Sequence, residues 1–283
     1  MPNSLHAWLI DRALSEDIGA GDLTAQYFVP VDRQATALVV ARQEGVIAGV
    51  ELAREVFQTV DSSLDVAVMI EDGARVTTGA IVMKISGSAR GILAAERTAL
   101  NFMQHLSGIA SQTYEYVKAV EGTKARILDT RKTTPGWRLL EKAAVVSGGG
   151  TNHRMGLYDR VMVKDNHLVS EGAMQTLQDA MRQLSVDHPE VEVEVEADHL
   201  DQVEAFLGME EVDCILLDNM TLEEMKKAVQ LRGVRIRPTL EASGGVTLST
   251  VRAIAETGVD FISVGALTHS VKAMDLALDF VGA

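Results

Sequence analysis

The second half of the chain alternates short apolar runs with longer amphipathic stretches, and this alternation limits the possible folds more than any other feature. The apolar runs are RILDT, RVMVKD, VEVEVE, CILLDN, RPTLEASGG and FISVGA. Between most of them lie stretches with helical spacing, near residues 137–147, 171–185, 199–208, 221–230 and 247–257. Six such alternations indicate parallel βα units. Because no Gly-x-Gly-x-x-Gly motif follows the first run, the pattern favours a closed or nearly closed α/β barrel over a dinucleotide-binding fold. We assign residues 110–269 to this barrel.

A different pattern covers roughly residues 1–109, which we predict to form an α+β domain. This part opens with amphipathic helix spacing at Leu5, Trp8, Leu9, Ala13 and Leu14. Strand-like runs follow, ATALVVARQ, GVIAGV, LDVAVMI and AIVMKISG, and a long helix from about residue 90 to about residue 120 ends it. The order predicts helices against a small, mostly antiparallel sheet. The tail after Ser270 has helix spacing, and we expect it to return to this first domain.

The composition argues against several classes of function. The net charge of −14 means that the surface as a whole repels nucleic acid and anionic membranes. Cys214 is the single cysteine, which excludes a disulfide within the chain and argues against a cysteine-based zinc site. The N-terminal residues lack the pattern of a signal peptide, and no window approaches the length of a membrane span. We therefore expect a cytoplasmic protein.

Basic residues concentrate between residues 124 and 167, where nine Lys or Arg and four Asp or Glu give a local charge of +5. A basic segment inside an acidic protein predicts an anion site. A solvated helix face accounts for Arg138 and Lys142, whereas the other basic residues abut strand ends or a glycine-rich loop. The candidates for binding carboxylates and phosphate are Arg131, Lys132, His153, Arg154 and Lys164, with Thr130 beside them and the segment 164–167 closing the stretch.

Acidic residues form a second group of candidates. In VEVEVE, the two-residue period places Glu192, Glu194 and Glu196 on one face of a strand and the valines on the other. Three glutamates inside a barrel require cations or polar partners, although a solvent-facing strand edge also explains Glu192. Glu196, with Asp218 at the end of the next run, suits a Mg²⁺ ion, a pair of sugar hydroxyls or a developing positive charge.

Two glycine-containing loops follow the last two strand-like runs. They are Ser243-Gly244-Gly245 and Val264-Gly265-Ala266, and each precedes a stretch with helical spacing. Backbone N–H groups at helix starts bind phosphate, and the loops after the last two strands of a barrel are the usual phosphate position. The sequence therefore predicts an anionic small molecule beside a phosphorylated sugar.

The central segment DTRKTTPGWRLLEKAAVVSGGGTNHRMGLYDRVMVKDNH closely resembles the core motif of the quinolinate phosphoribosyltransferase family. Further matches run in the expected order, EDIGAGDLT, AAERTALNFMQHLSGIAS, VEVEVE, ILLDN, EASGG and ISVGALTHS, so the resemblance covers nearly the whole chain. It implies an N-terminal open α+β sandwich and an incomplete α/β barrel, assembled as a homodimer. The implied reaction joins quinolinate to phosphoribosyl pyrophosphate with Mg²⁺, giving nicotinate mononucleotide, pyrophosphate and CO₂.

The resemblance also implies roles for particular residues. It places quinolinate among Arg131, His153, Arg154 and Lys164, with Arg97 reaching in from the partner subunit. It implies that Lys132, Glu196 and Asp218 bind phosphoribosyl pyrophosphate and its metal and are the catalytic residues, with Glu194 as the alternative to Glu196. It also implies that residues 243–245 and 264–266 bind the 5-phosphate.

Three other functions stay open from the sequence. One is a paralogous pyrophosphorylase-like protein of the molybdenum-transport type, and another is a non-catalytic phosphosugar-binding barrel. The third is a biotinyl-like or lipoyl-like carrier module with Lys84 as the modified residue, although a helix follows where such a module needs a second half. Among single residues, Cys214 is predicted to be a core thiol. His105 could face the core or a subunit contact, and His167 and His269 lie near strand ends, where either could touch ligand.

Overall fold

The computed structural model describes residues 4–164 and 173–282. The first elements are α1 (Ser4–Ile18), α2 (Leu23–Phe28), β1 (Gln34–Ala41), β2 (Gly45–Val46), α3 (Val50–Val60), β3 (Asp65–Val68), β4 (Arg75–Val76), β5 (Ile81–Ser88) and α4 (Ala89–Ala119). The remaining elements are β6 (Arg126–Leu128), α5 (Arg138–Ser147), β7 (Val161–Val163), α6 (Ala173–Asp187), β8 (Val193–Ala197), α7 (Leu200–Leu207), β9 (Cys214–Asp218), α8 (Leu222–Arg232), β10 (Thr239–Ser243), α9 (Val251–Ala255), β11 (Phe261–Ser263), α10 (Ala266–His269) and β12 (Leu276–Phe280).

The chain divides into two compact units. The first comprises residues up to 114, 134–149 and from 270 onward. Its main sheet has the strand order β12-β1-β5-β3, and all of its pairs are antiparallel. Apolar residues on β1, α3, β5 and α4 form the core, and Val39, Phe57, Ile85 and Ile92 are fully buried. The predicted α+β architecture with an antiparallel sheet is confirmed.

The prediction of helix spacing for the C-terminal tail is wrong. Residues 276–280 form β12, which pairs with β1 from Leu276 opposite Ala41 to Phe280 opposite Ala37. The apolar residues at 274, 276, 278 and 280 also fit a two-residue period, and a period of 3.6 competes with it over so short a run. Pairing with an available edge strand decides the outcome, which local spacing does not encode. Similarly, only two residues of the run GVIAGV form a strand.

The second unit comprises residues 115–133 and 150–269. Its six strands form one parallel sheet in the order β6-β11-β10-β9-β8-β7, with helices between most of them. Among the described strands, β6 and β7 each have only one partner, so the barrel is incomplete, as predicted. On β9, Ile215 and Leu217 are fully buried on one face, while Leu216 lies between Glu196 of β8 and Glu241 of β10 on the other. The interior of this barrel therefore carries carboxylates.

Of the helices that the structure describes, none combines the length and apolar character needed to cross a bilayer. Cytoplasmic location stays a prediction.

Candidate active site

A cavity of about 770 Å³ lies at the carboxyl ends of the parallel strands of the second unit. The strand-end residues meet there because all six strands run in the same direction. The predicted site residues that line it are Thr130, Arg131, Lys132, His153, Arg154, Lys164, Glu196, Asp218, Ser243, Gly244, Gly245, Gly265 and Ala266. The exceptions are Arg97, Glu194 and Val264. Arg97 belongs to the first unit and is exposed on α4, whereas Glu194 and Val264 are buried.

Cations occupy one side of the cavity. The loop after β6 carries Arg131 and Lys132, and Thr268 donates a hydrogen bond of 2.8 Å to the carbonyl oxygen of Lys132. Thr130 Oγ1 accepts a hydrogen bond of 3.1 Å from the Lys132 N–H, which tightens the same loop. Burial and the neighbouring Arg131 guanidinium lower the pKa of Arg154. Two guanidinium groups close enough to repel each other are stabilised by an anion between them.

Two glutamates of the VEVEVE run form ion pairs with basic residues. Lys164 Nζ donates a hydrogen bond of 2.7 Å to Glu196 Oε2, and Arg160 forms an ion pair with Glu192. Glu192 is half-exposed, whereas Glu196 is almost fully buried. Glu192 therefore lies at a strand edge that faces solvent only in part, because its carboxylate is paired with Arg160.

His153 lies between two fully buried carboxylates. Its Nε2 atom is 3.0 Å from Glu194 Oε2 and 3.4 Å from Glu241 Oε2. Burial lowers the pKa of His153, but the two carboxylates outweigh burial and raise it to about 9. The Arg154 N–H donates to Nδ1 at 2.6 Å, which favours the neutral ring and opposes the carboxylates. The carboxylates dominate, because the attraction of two charges within 3.4 Å exceeds one neutral hydrogen bond in energy.

The same network extends to both sides of His153. Asp129 is fully buried, and its Oδ1 accepts a hydrogen bond of 2.8 Å from the His153 N–H. Glu241 Oε1 accepts a hydrogen bond of 2.5 Å from Ser263 Oγ on β11. Burial and repulsion from Glu241 raise the pKa of Glu194. His153 is thus fixed from three strands rather than carried on a free loop, and burial keeps Glu194 below the cavity.

A cluster of acidic groups, the acidic side, adjoins the cations at the contact between Lys164 and Glu196. One carboxylate oxygen from each of Glu196, Asp198 and Asp218 lies within 4.8 Å of the others. A donor set made only of oxygen suits Mg²⁺, which keeps several of its waters or substrate oxygens as further ligands. The residues present therefore fit that ion, although Lys164 already engages Glu196. Asp198 was not predicted, even though it ends the same acidic run in the sequence.

Glycines allow the backbone to approach closely at the ends of β10 and β11. Gly244 and Gly245 have φ angles of 96° and 60°, a region that strongly favours glycine. A Cβ on Gly265 would lie 3.1 Å from the Lys132 side chain and the His269 ring. His269 lines the cavity, as do Asn219 and Glu241, which were not predicted as site residues. His167, with residues 165 and 166, lies outside the described residues.

In the first unit, the half-buried His105 ring contacts Trp137 and the buried carboxylate of Glu141. The His105 Nε2 atom is 2.9 Å from Glu141 Oε1, and its ring meets Trp137 edge-on at 5.4 Å. Trp137 also stacks on Phe102, with the ring centroids 4.8 Å apart.

The prediction that Lys142 lies on a solvated helix face is wrong, since this side chain is fully buried on α5. Much of α5 is buried, so the helix has no broad exposed face.

Comparison with known proteins identifies the family of this chain. Two family models, the N-terminal and C-terminal domains of quinolinate phosphoribosyl transferase, match residues 22–107 and 109–279. A carboxylating nicotinate-nucleotide pyrophosphorylase of Mycobacterium leprae is 47% identical over 95% of each chain. A probable one of Bacillus subtilis is 39% identical over 96% of this chain and 92% of its own. The structure of the Francisella tularensis nicotinate-nucleotide pyrophosphorylase aligns with a TM-score of 0.91 at 38% identity, over 99% of this chain and 98% of that one. The chain therefore belongs to the quinolinate phosphoribosyl transferase family.

Proposed function

We propose that this chain transfers the phosphoribosyl group of phosphoribosyl pyrophosphate to quinolinate, and so makes nicotinate mononucleotide for NAD biosynthesis. The observation that carries the proposal is one cavity lined by a cationic side and an adjoining acidic side, with glycine loops among the lining residues. Quinolinate is a dianion and suits the cationic side. The acidic side and the glycine loops suit the ribose, the metal and the 5-phosphate. Relatives of this chain are named for this reaction, which favours it over the molybdenum-transport alternative.

The cationic side would bind and orient quinolinate. Arg131 and Arg154 offer planar forks that match carboxylates, and Lys164 adds a compact charge. His153, held by Glu194 and Glu241, completes this wall of the cavity. Holding the pyridine nitrogen against the anomeric carbon is the main catalytic contribution that we assign to these residues.

The acidic side would bind phosphoribosyl pyrophosphate. Mg²⁺, when bound through Glu196 and Asp218, would neutralise charge on the pyrophosphate. Lys132, which lines the same cavity, would bind pyrophosphate oxygens as the bond to the anomeric carbon breaks. The carboxylates of Glu196 and Asp218 would stabilise the positive charge that develops on the ribose ring.

The pyridine nitrogen then forms the new bond to the anomeric carbon and becomes positively charged. The neighbouring carboxylate leaves as CO₂, and the electron pair left on the ring carbon is stabilised by the adjacent cationic nitrogen. That carbon takes up a proton to give nicotinate mononucleotide. The scheme uses no nucleophile from the protein.

The direct test is an assay of purified protein with quinolinate, phosphoribosyl pyrophosphate and Mg²⁺, following nicotinate mononucleotide, pyrophosphate and CO₂. Nicotinate in place of quinolinate should release no CO₂. Arg131→Ala and Lys132→Ala should each reduce turnover or substrate affinity by about 10-fold or more, because each removes a charge-assisted contact. Lys227→Ala, which removes an exposed lysine on α8, is the matched control. Normal kinetics in both site variants, or no product from the wild type, would reject the assignment.

We further propose a homodimer in which Arg97 completes the partner's cavity. Support comes from its exposed position on α4 and from the family to which the chain belongs. Mixing Arg97→Ala with Lys132→Ala after reversible dissociation should restore about a quarter of wild-type activity, since half of the dimers then hold one intact site of two. A mixture that stays as inactive as its components would exclude a shared site.

A further inference from the structure

Asn219 has an unusual backbone conformation at the edge of the cavity. It follows Asp218 at the end of β9, and its φ angle of 52° is the only positive value among the described residues other than glycine. Asparagine tolerates this region better than most residues, but it still costs conformational energy. Such strain persists where the surrounding structure holds the residue, and it concentrates at ligand sites.

The contacts of Asn219 explain what holds it. Its side-chain Nδ2 donates a hydrogen bond of 2.7 Å to Asp218 Oδ2. Its backbone N–H donates a second hydrogen bond of 2.9 Å to the carbonyl oxygen of Ser243, at the end of β10. One residue therefore orients the carboxylate at the end of one strand and ties it to the end of the next.

The glycine loop after β10 lies directly against this residue. A Cβ atom on Gly244 would lie 2.1 Å from Asn219 Oδ1 and 3.1 Å from the Asn219 backbone nitrogen. The φ angle of Gly244 is 96°, so both the conformation and the space require glycine. The position of the 243–245 loop is thus set by the side chain that also orients Asp218.

We propose that Asn219 is a positioning residue for phosphoribosyl pyrophosphate, which holds Asp218 and the 243–245 loop at a fixed spacing. The inference rests on the proposed function, in which Asp218 serves the ribose and metal end of the substrate and the loop serves its 5-phosphate. Both ends must be bound at once for the anomeric carbon to be held in place. The quinolinate residues Arg131 and Lys164 belong to other loops, so the effect of Asn219 is confined to one substrate.

The test uses two variants of the full-length protein. Asn219→Gly keeps the positive φ at no steric cost and removes the amide. Asn219→Asp keeps the size but loses the donor and adds a negative charge beside Asp218. We expect both to weaken binding of phosphoribosyl pyrophosphate with Mg²⁺, measured by calorimetry without quinolinate, by about 10-fold or more. The KM for quinolinate should stay within about twofold. The melting temperature of ligand-free Asn219→Gly should stay within about 2 °C of the wild type, because relief of the strained conformation offsets the lost hydrogen bond to Asp218.

A double-mutant cycle with Gly244→Ala tests the link between the two loops. In the wild-type background, Gly244→Ala creates the contact with the Asn219 side chain and should sharply weaken phosphoribosyl pyrophosphate binding. In the Asn219→Gly background that contact is absent, so the same substitution should cost at least about threefold less in affinity. Additive losses would overturn the proposed link.

The remaining outcomes separate this inference from the proposed function. A wild-type protein that neither binds phosphoribosyl pyrophosphate nor releases pyrophosphate overturns the proposed function, and this inference with it. Normal wild-type binding with unchanged affinity in both Asn219 variants overturns the inference alone. Equal weakening of both substrates, or a melting temperature of Asn219→Gly lowered by more than about 5 °C, would show a general structural role and would also overturn it.

Discussion

Replacing Glu194 with glutamine should lower the pKa of His153 and change how stability depends on pH. The wild-type pKa of about 9 lies about 2.5 units above the ordinary value of 6.5. At 1.36 kcal/mol per unit, this difference corresponds to about 3 kcal/mol of stabilisation of the charged ring. A single charge 3.0 Å away contributes roughly 5 kcal/mol at an effective dielectric constant of about 20. Removing the Glu194 charge should therefore lower the pKa of His153 by at least about one unit.

The sign of the stability effect follows from the direction of this shift. The folded-state pKa of His153 is raised above the unfolded value, so the stabilisation is fully present below pH 6.5 and is lost as the pH rises through about 9. The raised pKa of Glu194 acts in the same direction, because its charged form is disfavoured in the folded protein. We expect the wild-type free energy of unfolding to fall by up to about 3 kcal/mol over this window, and Glu194→Gln to show a flatter profile.

The assay is an NMR titration of the histidine rings in the wild type and Glu194→Gln, with His153→Gln to assign the signal. Urea unfolding at pH 6.5 and 9 gives the stability difference for the same proteins. Glu204→Gln, an exposed glutamate on α7, is the matched control and should follow the wild type in both measurements. A wild-type His153 that titrates at or below 6.5 would show that burial and the Arg154 amide outweigh the carboxylates. An unchanged pKa in Glu194→Gln would show that Glu194 is not the source.

Three further substitutions or probes test the packing. Asp260→Asn should cost about 2–4 kcal/mol in the free energy of unfolding, because it leaves the buried Arg232 guanidinium without its ion-pair partner; a loss below 0.5 kcal/mol would contradict this. Burial raises the pKa of the Cys214 thiol well above its ordinary value, so a thiol reagent should react with it only after urea unfolding; rapid reaction in native buffer would disprove its burial. Trp137→Leu should lower stability by about 1 kcal/mol by removing the stack on Phe102, and an unchanged melting temperature would refute that.

The fold of the second unit could be predicted because its signal is repeated. Each of the six predicted runs overlaps one of the strands β6 to β11, and residues at or after the ends of these strands line the cavity at one edge of the sheet. The tail from residue 270 could not be predicted in this way, since a single short run fits both a helix and a strand. Its pairing with β1 joins positions more than 230 residues apart, such as Ala41 and Leu276.

The site was predictable to the extent that its residues follow strands. Arg131, Lys164 and Asp218 each stand at such an end, and all three line the cavity. The pairing of His153 with Glu194 and Glu241 could not be foreseen, because it joins a loop to two strands that are distant in sequence. The positive φ angle of Asn219 could not be predicted from the sequence either, since an asparagine after a strand adopts many conformations.

The register of β7 against β8 explains why the three glutamates have different partners. Val161 pairs with Val193 and Val163 with Val195, an offset of 32 residues. The same offset sets Arg160 beside Glu192 and Lys164 beside Glu196, and both are ion pairs.

Glu194 faces Met162 in this register, so no cation stands directly opposite it. Its positive partners are His153 at 3.0 Å and the more distant Arg160 at 3.6 Å. Burying a carboxylate without a partner costs free energy, so the contact with Glu194 stabilises His153 inside the barrel. Because Arg154 follows His153 in the chain, the same contact fixes a guanidinium at the wall of the cavity. The charge pattern of one strand thus determines where a cation of the neighbouring loop can meet an anionic substrate.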